Sequence, residues 1–351
     1  MAGVFINKLE KLLVLNYSMD ETHPLLSHQT QAVTELAKRS KIIYVVTGTL
    51  GTYSIPPNVK IFSSNWVSGR PILSAFRFLR LAIPLLLRVR PTVVFSHMTD
   101  VQSSLLAPLT LILRIPHYLW YAHAHQSVWL LLARPFLKGI ITSTSGSCPV
   151  KGPKVFYIGQ AVDPLKFPFQ PKMKLASMNC IHVGRLDPSK KIEVLIESLI
   201  KFRIGHPSVT LTLVGDPSTD LSKKYLEKIQ EKYLEQIALG WLKFKGAIPR
   251  SEVPNILSTY DMFVHAYSGS LDKSLIEATL IGIRVATINS EYLAQFGSWS
   301  QLRNPTLLEE IIASNLVSDE ALAQELLLRR NLCEENHSIS SWVNSLIQIL
   351  S

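Results

Sequence analysis

The residues best placed for chemistry lie between His265 and Ala286. An apolar run from Tyr260 to Ala266 predicts a buried strand, a small polar turn follows it, and a helix begins after Ser270. A helix that starts directly after a strand presents backbone N–H groups and the positive end of its dipole, which suits a phosphate. Glu277 falls near the middle of this helix, where its carboxylate can reach hydroxyl groups of the same ligand. The spacing predicts a nucleotide-linked ligand, and an ordinary βαβ crossover without a ligand is the alternative.

A second group of residues supplies charge of the opposite sign to such a ligand. Gly184 ends a predicted strand, and Arg185 and Lys190 follow it on the loop and at the start of the next helix. Two cations at the carboxyl end of a strand can clamp a diphosphate from the other side. Such a clamp stabilises the negative charge on a leaving nucleotide without a metal ion. The alternative is that both cations are ordinary surface charges.

Composition limits the classes of protein to consider. The 351 residues suggest two domains, and a hydrophobic fraction of 47% is sufficient for two folded cores. Three scattered cysteines, Cys148, Cys180 and Cys333, fit neither a disulfide framework nor a zinc site. We see no secretory signal near the start of the sequence, so we expect the chain in the reducing cytoplasm.

Positive charge is concentrated in the first half of the chain. Residues 1–165 contain 16 Lys and Arg against 6 Asp and Glu, whereas the remainder contains 20 of each. This asymmetry favours an anionic partner for the first half, such as a phospholipid surface, a lipid phosphate or an acidic glycan. No nucleic-acid recognition motif is present, and charge that serves only solubility is the alternative.

The pattern of apolar segments predicts an α/β architecture in both halves. Short apolar runs alternate with helical patterns, which is typical of parallel sheets covered by helices on both faces. Three prolines between Asp163 and Pro171 mark a connector, so we expect an N-terminal Rossmann-like domain over residues 1–165 and a C-terminal one over 166–351. We expect the two domains to face each other across a cleft, and the last helix can pack back on the first domain. The predicted strands are Lys11–Tyr17, Lys41–Thr47, Val59–Ser63, Thr92–Met98, His117–Ala122, Gly139–Ser143, Lys154–Ile158, Cys180–Gly184, Val209–Gly215 and Leu242–Gly246. The predicted helices include Ser27–Arg39, Ile72–Val89, Val101–Leu113, Ser127–Phe136, Lys190–Phe202 and Lys223–Ile237.

Four motifs in the second half, in this order, resemble the carboxyl-terminal half of the glycosyltransferases of family 4. They are Val-Gly-Arg-x-x-x-x-Lys (183–190), Leu-x-Leu-Val-Gly-Asp (211–216), Phe-Lys-Gly-Ala-Ile-Pro (244–249) and Ser-Leu-x-x-Ser-Leu-Ile-Glu-Ala (270–278). Similar runs at 120–123, 157–163 and 335–338 extend the resemblance over most of the chain. The resemblance implies the GT-B fold and a retaining transfer of a hexose from a UDP- or GDP-sugar to a glycan or a lipid-linked acceptor. It implies no metal ion and no cofactor other than the nucleoside-diphosphate sugar itself.

The resemblance also assigns roles to individual positions. Arg185 and Lys190 would bind the donor diphosphate, and Glu277 would hold the donor ribose. His123 would reach the transferred sugar, while His125, His97 or a purely structural histidine are the alternatives. The backbone at the helix start would cap the phosphates, and its residues are Ser270, Leu271, Asp272, Lys273 and Ser274.

The sequence also departs from the family pattern. Gly269 stands eight residues before Glu277, where the family has its first glutamate, and Asp272 is the nearest acid that could substitute for it. Lys191 stands where glycine is usual and could add a third cation. A non-catalytic nucleotide-sugar-binding partner of another transferase therefore stays open. A dinucleotide-dependent oxidoreductase would need a Gly-x-Gly-x-x-Gly motif after an early strand, and there is none.

One predicted helix bears on where the chain acts. Its most apolar part, Phe76 to Leu87, is interrupted by Arg77, Arg80 and Pro84, so it is too short and too charged to span a bilayer. Its arginines suggest peripheral attachment to the inner face of a membrane that carries a lipid-linked acceptor. The alternative is a buried packing helix, because this stretch is apolar on nearly all sides.

Overall fold

The computed structural model describes residues 9–23, 26–172 and 178–351. In these ranges the chain forms twelve β-strands and thirteen α-helices. It divides into two compact units, of which the first comprises Met1–Ala161 and Ile339–Ser351 and the second Val162–Ser338. No helix among the described residues is both long enough and apolar enough to cross a membrane.

The first unit is built on a seven-stranded parallel sheet in the order β3-β2-β1-β4-β5-β6-β7. Its central strands are buried on both faces, as parallel strands between two helical layers must be; every residue of β4, β5 and β6 is buried. The strands are β1 (Leu9–Met19), β2 (Ser40–Leu50), β3 (Val59–Ser63), β4 (Val93–His97), β5 (His117–Trp120), β6 (Gly139–Thr142) and β7 (Val155–Tyr157).

Two helical layers cover this sheet. On one face, α1 (Ser27–Ala37) and α13 (Ile339–Leu350) pack in a core that includes Leu12 and Val14 of β1. On the other face, α2 (Pro71–Val89) and α3 (Asp100–Ile112) pack in a core with Leu13 and Leu15. The short α4 (Val128–Ala133) packs beside α3 against β5 and β6. Alternate residues of β1 thus point to opposite layers.

The second unit contains a five-stranded parallel sheet in the order β10-β9-β8-β11-β12. The strands are β8 (Asn179–Val183), β9 (Thr210–Val214), β10 (Leu242–Gly246), β11 (Met262–His265) and β12 (Arg284–Thr287). The helices are α5 (Ile192–Arg203), α6 (Asp220–Lys232), α7 (Leu234–Ala238), α8 (Val253–Thr259), α9 (Lys273–Ile281), α10 (Ser290–Phe296), α11 (Leu307–Leu316) and α12 (Asp319–His337). The predicted α/β class with two parallel sheets is confirmed.

Two predicted helices differ in detail from those of the structure. The predicted helix Lys223–Ile237 is wrong as a single element, because it breaks at Tyr233 into α6 and α7. The Tyr233 ring is buried in the core and its hydroxyl donates to Glu197 Oε1 at 2.6 Å, which fixes a non-helical residue at the break. The helix predicted from Lys190 begins at Ile192 instead, since Lys191 has a left-handed backbone with φ of +51°.

Candidate functional site

The carboxyl ends of β8, β9 and β11 meet at one edge of the second sheet, because these strands are parallel neighbours. The loops after β8 and β9 approach so closely that Gly184 N donates to Val214 O at 3.0 Å. Gly215 has φ of +136°, and a Cβ atom there would lie 1.9 Å from Gly184 O. Glycine at 215 is therefore required for the two loops to lie side by side.

The loop after β8 carries Arg185, whose half-exposed guanidinium lies 3.5 Å from Asp187 Oδ2. Asp187 is itself held by the next loop, since it accepts hydrogen bonds from Ser218 N at 3.0 Å and Ser218 Oγ at 2.8 Å. Burial alone would raise the pKa of Asp187, but these hydrogen bonds and the Arg185 charge lower it overall. Asp187 thus stays ionised and positions Arg185 at the sheet edge.

The turn between β11 and α9 is held from within by Asn289, which is not among the residues predicted for the site. The buried Asn289 Nδ2 donates to the carbonyls of Tyr267, Gly269 and Ser270 at 3.0, 3.3 and 3.1 Å. Its Oδ1 accepts from Tyr292 N at 3.0 Å and so caps α10. One side chain therefore fixes the turn that leads to the start of α9. An asparagine just before a helix is a recognisable cap, but its reach to a turn twenty residues earlier is not readable from the sequence.

Asp272 is the N-cap residue of α9, yet its carboxylate makes no bond to the helix backbone. Its Oδ2 instead accepts from Lys190 Nζ and from His265 Nε2, the latter at 2.9 Å. Burial would raise the pKa of Asp272, but the His265 hydrogen bond and the Lys190 charge hold it well below its usual range. His265 is fully buried, which lowers its pKa, so its neutral ring donates to Asp272 and can accept from Thr287 Oγ1 at 3.1 Å.

Two lysines link the loop after β8 to the loop after β11. Lys190 Nζ lies 4.1 Å from the centre of the Tyr267 ring, a cation–π contact, as well as against Asp272. Lys191 Nζ donates to Ser268 Oγ at 3.1 Å. The left-handed backbone of Lys191 explains why glycine suits this position, although lysine occupies it here.

Gly269 and Tyr267 are sterically coupled. A Cβ atom at Gly269 would lie 2.2 Å from the Tyr267 hydroxyl oxygen and 2.3 Å from Cζ. The Tyr267 hydroxyl also accepts a hydrogen bond from Ser270 N at 3.3 Å. The tyrosine ring thus fills the space into which a glutamate at 269 would project.

Glu277 is completely buried on α9, and both of its oxygens accept hydrogen bonds from the half-exposed Arg250 guanidinium. Arg250 follows the motif that ends at Pro249, but its role is not readable from the sequence because its partner is 27 residues away. Lys273, at the start of α9, is near the same guanidinium. Burial and the charge of Arg250 lower the pKa of Lys273 to about 8.

The three candidate histidines lie in the first unit. His123 follows β5, is exposed, and its ring lies 5.6 Å from that of Tyr121. His125 is also exposed, and its carbonyl accepts from the Tyr121 hydroxyl at 2.6 Å. His97 is buried with its ring 5.9 Å from that of Trp342, which is the environment of a core residue.

The arrangement in the second unit concentrates positive charge around the start of one helix. Arg185, Lys190, Lys191, Arg250 and Lys273 all belong to the loops and turns at the carboxyl edge of the sheet or to the helix that begins there. Three of these cations have carboxylate partners, and in the part of the chain that the structure describes Lys191 and Lys273 make no ion pair. Among the same residues, no group of three or more His, Cys, Asp or Glu is placed to hold a metal ion.

This segment also has a recognisable sequence. Residues 168–296 match the family described as glycosyl transferases group 1. The match covers β8 to α10 and therefore all the site residues of the second unit described above. A comparison with curated proteins finds no match.

Solved structures show the same fold over nearly the whole chain. Alr3699/HepE of Anabaena, crystallised with UDP and glucose, has 17% sequence identity and a TM-score of 0.72, with 97% of this chain and 98% of that chain covered. A glycosyltransferase from Rickettsia africae has 12% identity and a TM-score of 0.74, with 98% of each chain covered. The sucrose-phosphate synthase of Thermosynechococcus elongatus has 14% identity and a TM-score of 0.71, with 97% of this chain and 98% of that chain covered. The predicted fold class, that of GT-B glycosyltransferases, is confirmed.

Proposed function

We propose that this chain is a retaining glycosyltransferase that moves a hexose from a UDP- or GDP-sugar to a hydroxyl of a glycan or a lipid-linked acceptor. The single observation that carries the proposal is the cluster of cations around the start of α9, in a segment that matches group 1 glycosyl transferases. Such a cluster suits a diphosphate, and a diphosphate is the leaving group of a nucleotide sugar. The UDP bound to the Anabaena structure of the same fold supports UDP as the first donor to test.

The proposed chemistry needs stabilised charge more than a strong base. When the bond from the sugar to the phosphate breaks, negative charge grows on the diphosphate. In this proposal, Arg185 and Lys190 stabilise that charge together with the N-terminal N–H groups of α9, around Leu271 to Ser274. A phosphate oxygen then accepts the proton of the acceptor hydroxyl on the same face of the sugar, so that the new bond keeps the configuration of the old one. No metal ion has a role in this scheme.

Glu277 is proposed to hold the donor ribose, with Arg250 as its positioning residue. A fully buried carboxylate is stable only when it is paired, and Arg250 supplies that pair at both oxygens. A ribose hydroxyl would donate to an oxygen that already has a fixed orientation. His123 is proposed to contact the transferred sugar from the first unit.

The contact to the sugar hydroxyls is proposed to differ from the usual one in this family. The Tyr267 ring fills the space beside Gly269, so no carboxylate projects from that position. The hydrogen bonds of Asp272 within the described ranges go to Oδ2, which leaves Oδ1 as the acceptor for a sugar hydroxyl. We therefore propose Asp272 for the role that the missing glutamate would have.

The first experiment is thermal unfolding of the purified chain with UDP, GDP, ADP and their common sugar conjugates. A ligand that binds only the folded state at about a hundred times its Kd stabilises it by roughly 2.7 kcal/mol. We expect one nucleotide to raise the unfolding temperature, Arg185→Ala to lose that rise, and the exposed Lys224→Ala in the same unit to keep it. No rise with any nucleotide would contradict the proposed donor site.

Turnover separates the proposed transferase from the remaining alternative, a nucleotide-sugar-binding partner of another transferase. The replacement of the first glutamate by Gly269 is the observation that keeps this alternative open. The purified chain is incubated with the sugar conjugate of the nucleotide that raised its unfolding temperature, and release of the free nucleotide is measured. Binding without release, in the presence of a panel of glycan and glycolipid acceptors, would favour the binding partner.

A further inference from the structure

One helical layer of the first unit has a solvent-exposed apolar surface with basic side chains around it. The layer consists of α2, α3 and α4, which lie side by side on one face of the seven-stranded sheet. We call its solvent-facing side the α2–α4 face. The opposite layer, with α1 and α13, does not contribute to it.

The apolar residues of this face are not those that hold the unit together. In α4, Leu130 and Ala133 are buried against the sheet, and the other four residues, from Val128 to Leu132, are exposed. Val128 is 67% exposed and Leu132 is 52% exposed. A six-residue helix that buries two apolar side chains and exposes four others has a second apolar surface that packing within the unit does not cover.

The adjoining helix α2 has the same property. Phe78 and Leu86 pack against the sheet, whereas Ile72 is 85% exposed and Phe76 is 63% exposed. The interpretation of this segment as a buried packing helix is therefore only half right. Its inner side packs, and its outer side presents apolar side chains and arginines to solvent.

The charge around the face has one sign. Between residues 36 and 162 the sequence contains 14 Lys and Arg and a single acid, Asp100. Asp100 is partly buried and accepts hydrogen bonds from Ser127 Oγ and Val101 N. Arg80 and Arg88 on α2 and Arg134 after α4 are exposed, so the apolar side chains have cationic neighbours and almost no anionic ones.

A groove beside α4 is lined by both apolar and basic side chains. It has a volume of about 510 Å³, and its floor is apolar, with Leu131, Ile140 and Val150 among its lining residues. Arg134, Lys151 and Lys154 also line it. An apolar floor beside cations suits a molecule that has an acyl chain and a phosphate headgroup.

We propose that the α2–α4 face docks on an anionic phospholipid bilayer. The exposed side chains of α2 and α4 enter the boundary between headgroups and acyl chains, and the arginines pair with lipid phosphates. The occupant is a lipid surface rather than an acidic protein, because the large aliphatic and aromatic side chains lie among the arginines, and an anionic bilayer has an apolar interior directly beside a layer of phosphates. The proposal does not depend on the proposed donor site, which lies in the second unit.

Flotation of the full chain with vesicles tests the docking. We expect binding to vesicles of phosphatidylcholine that contain phosphatidylglycerol, weaker binding in high salt, and little binding to phosphatidylcholine alone. The triple variant Arg80→Gln/Arg88→Gln/Arg134→Gln should lower the affinity for anionic vesicles by about tenfold or more. Its matched control, Lys224→Gln/Lys228→Gln/Lys243→Gln in the second unit, should bind as the unchanged chain does.

The apolar contribution has its own pair of variants. Trp129→Ser/Leu132→Ser in α4 should release the chain from the vesicles, and Leu221→Ser/Leu234→Ser, at exposed leucines of the second unit, should not. Brominated lipids should quench part of the tryptophan fluorescence of the bound chain, and Trp129→Phe should remove that part. Each variant is first checked for an unchanged circular dichroism spectrum and for an unchanged rise of the unfolding temperature with nucleotide. These controls distinguish a loss of vesicle binding from a loss of folding or of the donor site.

Two results would overturn the proposal. One is the absence of binding to anionic vesicles at low salt by a folded chain. The other is a dimer in sedimentation velocity that the α4 double variant dissociates, because the face would then be covered by a second copy of the chain.

Discussion

At the scale of single residues, three cations of the proposed donor site are already paired with carboxylates. Arg185 contacts Asp187, Lys190 contacts Asp272, and Arg250 contacts Glu277. Each carboxylate fixes the direction of its cation, which lowers the entropy lost when a diphosphate is bound. Lys191 and Lys273 make no ion pair within the described ranges, so the group has surplus positive charge.

The first residue-scale prediction concerns Arg185. If the guanidinium stabilises charge on the leaving diphosphate, Arg185→Ala should lower kcat by about a hundredfold to a thousandfold, or roughly 3 kcal/mol. The measurement is steady-state release of the nucleotide from its sugar, with Lys224→Ala as the control. An unchanged kcat would remove Arg185 from the reaction.

The second prediction concerns Lys273 and pH. Its pKa is lowered to about 8, so Lys273 is charged at pH 7 and largely neutral at pH 9. Nucleotide affinity should therefore fall severalfold between these values, and Lys273→Met should bind more weakly at pH 7 with a flatter profile. Titration calorimetry from pH 6.5 to 9.5 measures this, and parallel profiles for both proteins would contradict it.

The same lowered pKa affects the stability of the fold in the opposite direction: the free energy of unfolding rises with pH over the range in which nucleotide affinity falls. An unfolded lysine keeps its proton up to its ordinary pKa of about 10.4. Between pH 8 and pH 10 the unfolded state therefore binds more protons than the folded state, and stability rises with pH. Urea unfolding of the chain without nucleotide should show this rise, and Lys273→Met should lack it.

The third prediction concerns the pair of Arg250 and Glu277. Arg250→Met leaves a fully buried carboxylate without its partner and should destabilise the second unit by roughly 3 kcal/mol. This value is at the low end of the range for a broken buried ion pair, because the arginine is half exposed. The double variant Arg250→Met/Glu277→Gln should recover most of that loss, since no buried charge is left. Urea unfolding of both variants decides, and a double variant as unstable as the single one would show that the loss is due to packing.

At the scale of elements, the site depends on where helices begin. α9 starts with Asp272, whose side chain is used for Lys190 and His265 instead of for capping. α10 starts with Asn289, which caps its own helix and also holds the turn before α9. The start of α10 thus determines the shape of the turn that is proposed to receive the phosphates.

A comparison of two caps tests this coupling. Asn289→Ala removes the N-cap hydrogen bond of α10, and Thr306→Ala removes that of α11. Each substitution should lower the free energy of unfolding by about 1 kcal/mol. The loss should be larger for Asn289→Ala, because three backbone carbonyls also lose their donor. Only Asn289→Ala should weaken nucleotide binding, since Thr306 lies outside the turn. Equal nucleotide affinity in the two variants would separate the α10 cap from the site.

At the scale of the whole molecule, the chain contributes its last helix to its first unit. Ile339–Ser351 belongs with residues 1–161, and Trp342 of α13 packs its ring 5.3 Å from that of Trp120 on β5. The chain enters and leaves the second unit at adjacent positions, where Val162 N donates to His337 O at 2.8 Å. The first unit is therefore complete only when Ile339–Ser351 has been made.

This arrangement predicts an effect that is confined to one unit. Trp342→Ala removes a fully buried side chain from the first core and should destabilise that unit by about 3–5 kcal/mol. Nucleotide binding to the second unit should persist. Calorimetric unfolding should show an earlier transition for the first unit and a second transition that nucleotide still raises. Loss of the nucleotide shift in this variant would mean that the donor site needs an intact first unit.

The sequence by itself determined the alternation of strands and helices, because parallel strands buried on both faces must be continuous apolar runs. It also predicted the loop that follows Gly184 and the helix that begins after Ser270 as the places where strands of the second sheet end. These signals are local, since each lies within a few consecutive residues.

Only the tertiary structure decided which charges meet and which apolar residues stay exposed. The pairing of Glu277 with Arg250 and the turn held by Asn289 join residues from different elements. The exposed side of α4 could not be predicted, because an apolar hexamer looks the same in sequence whether one or both of its sides are covered. Hydrophobic periodicity reports that a side chain prefers burial, whereas the packing of neighbouring elements decides whether it is buried.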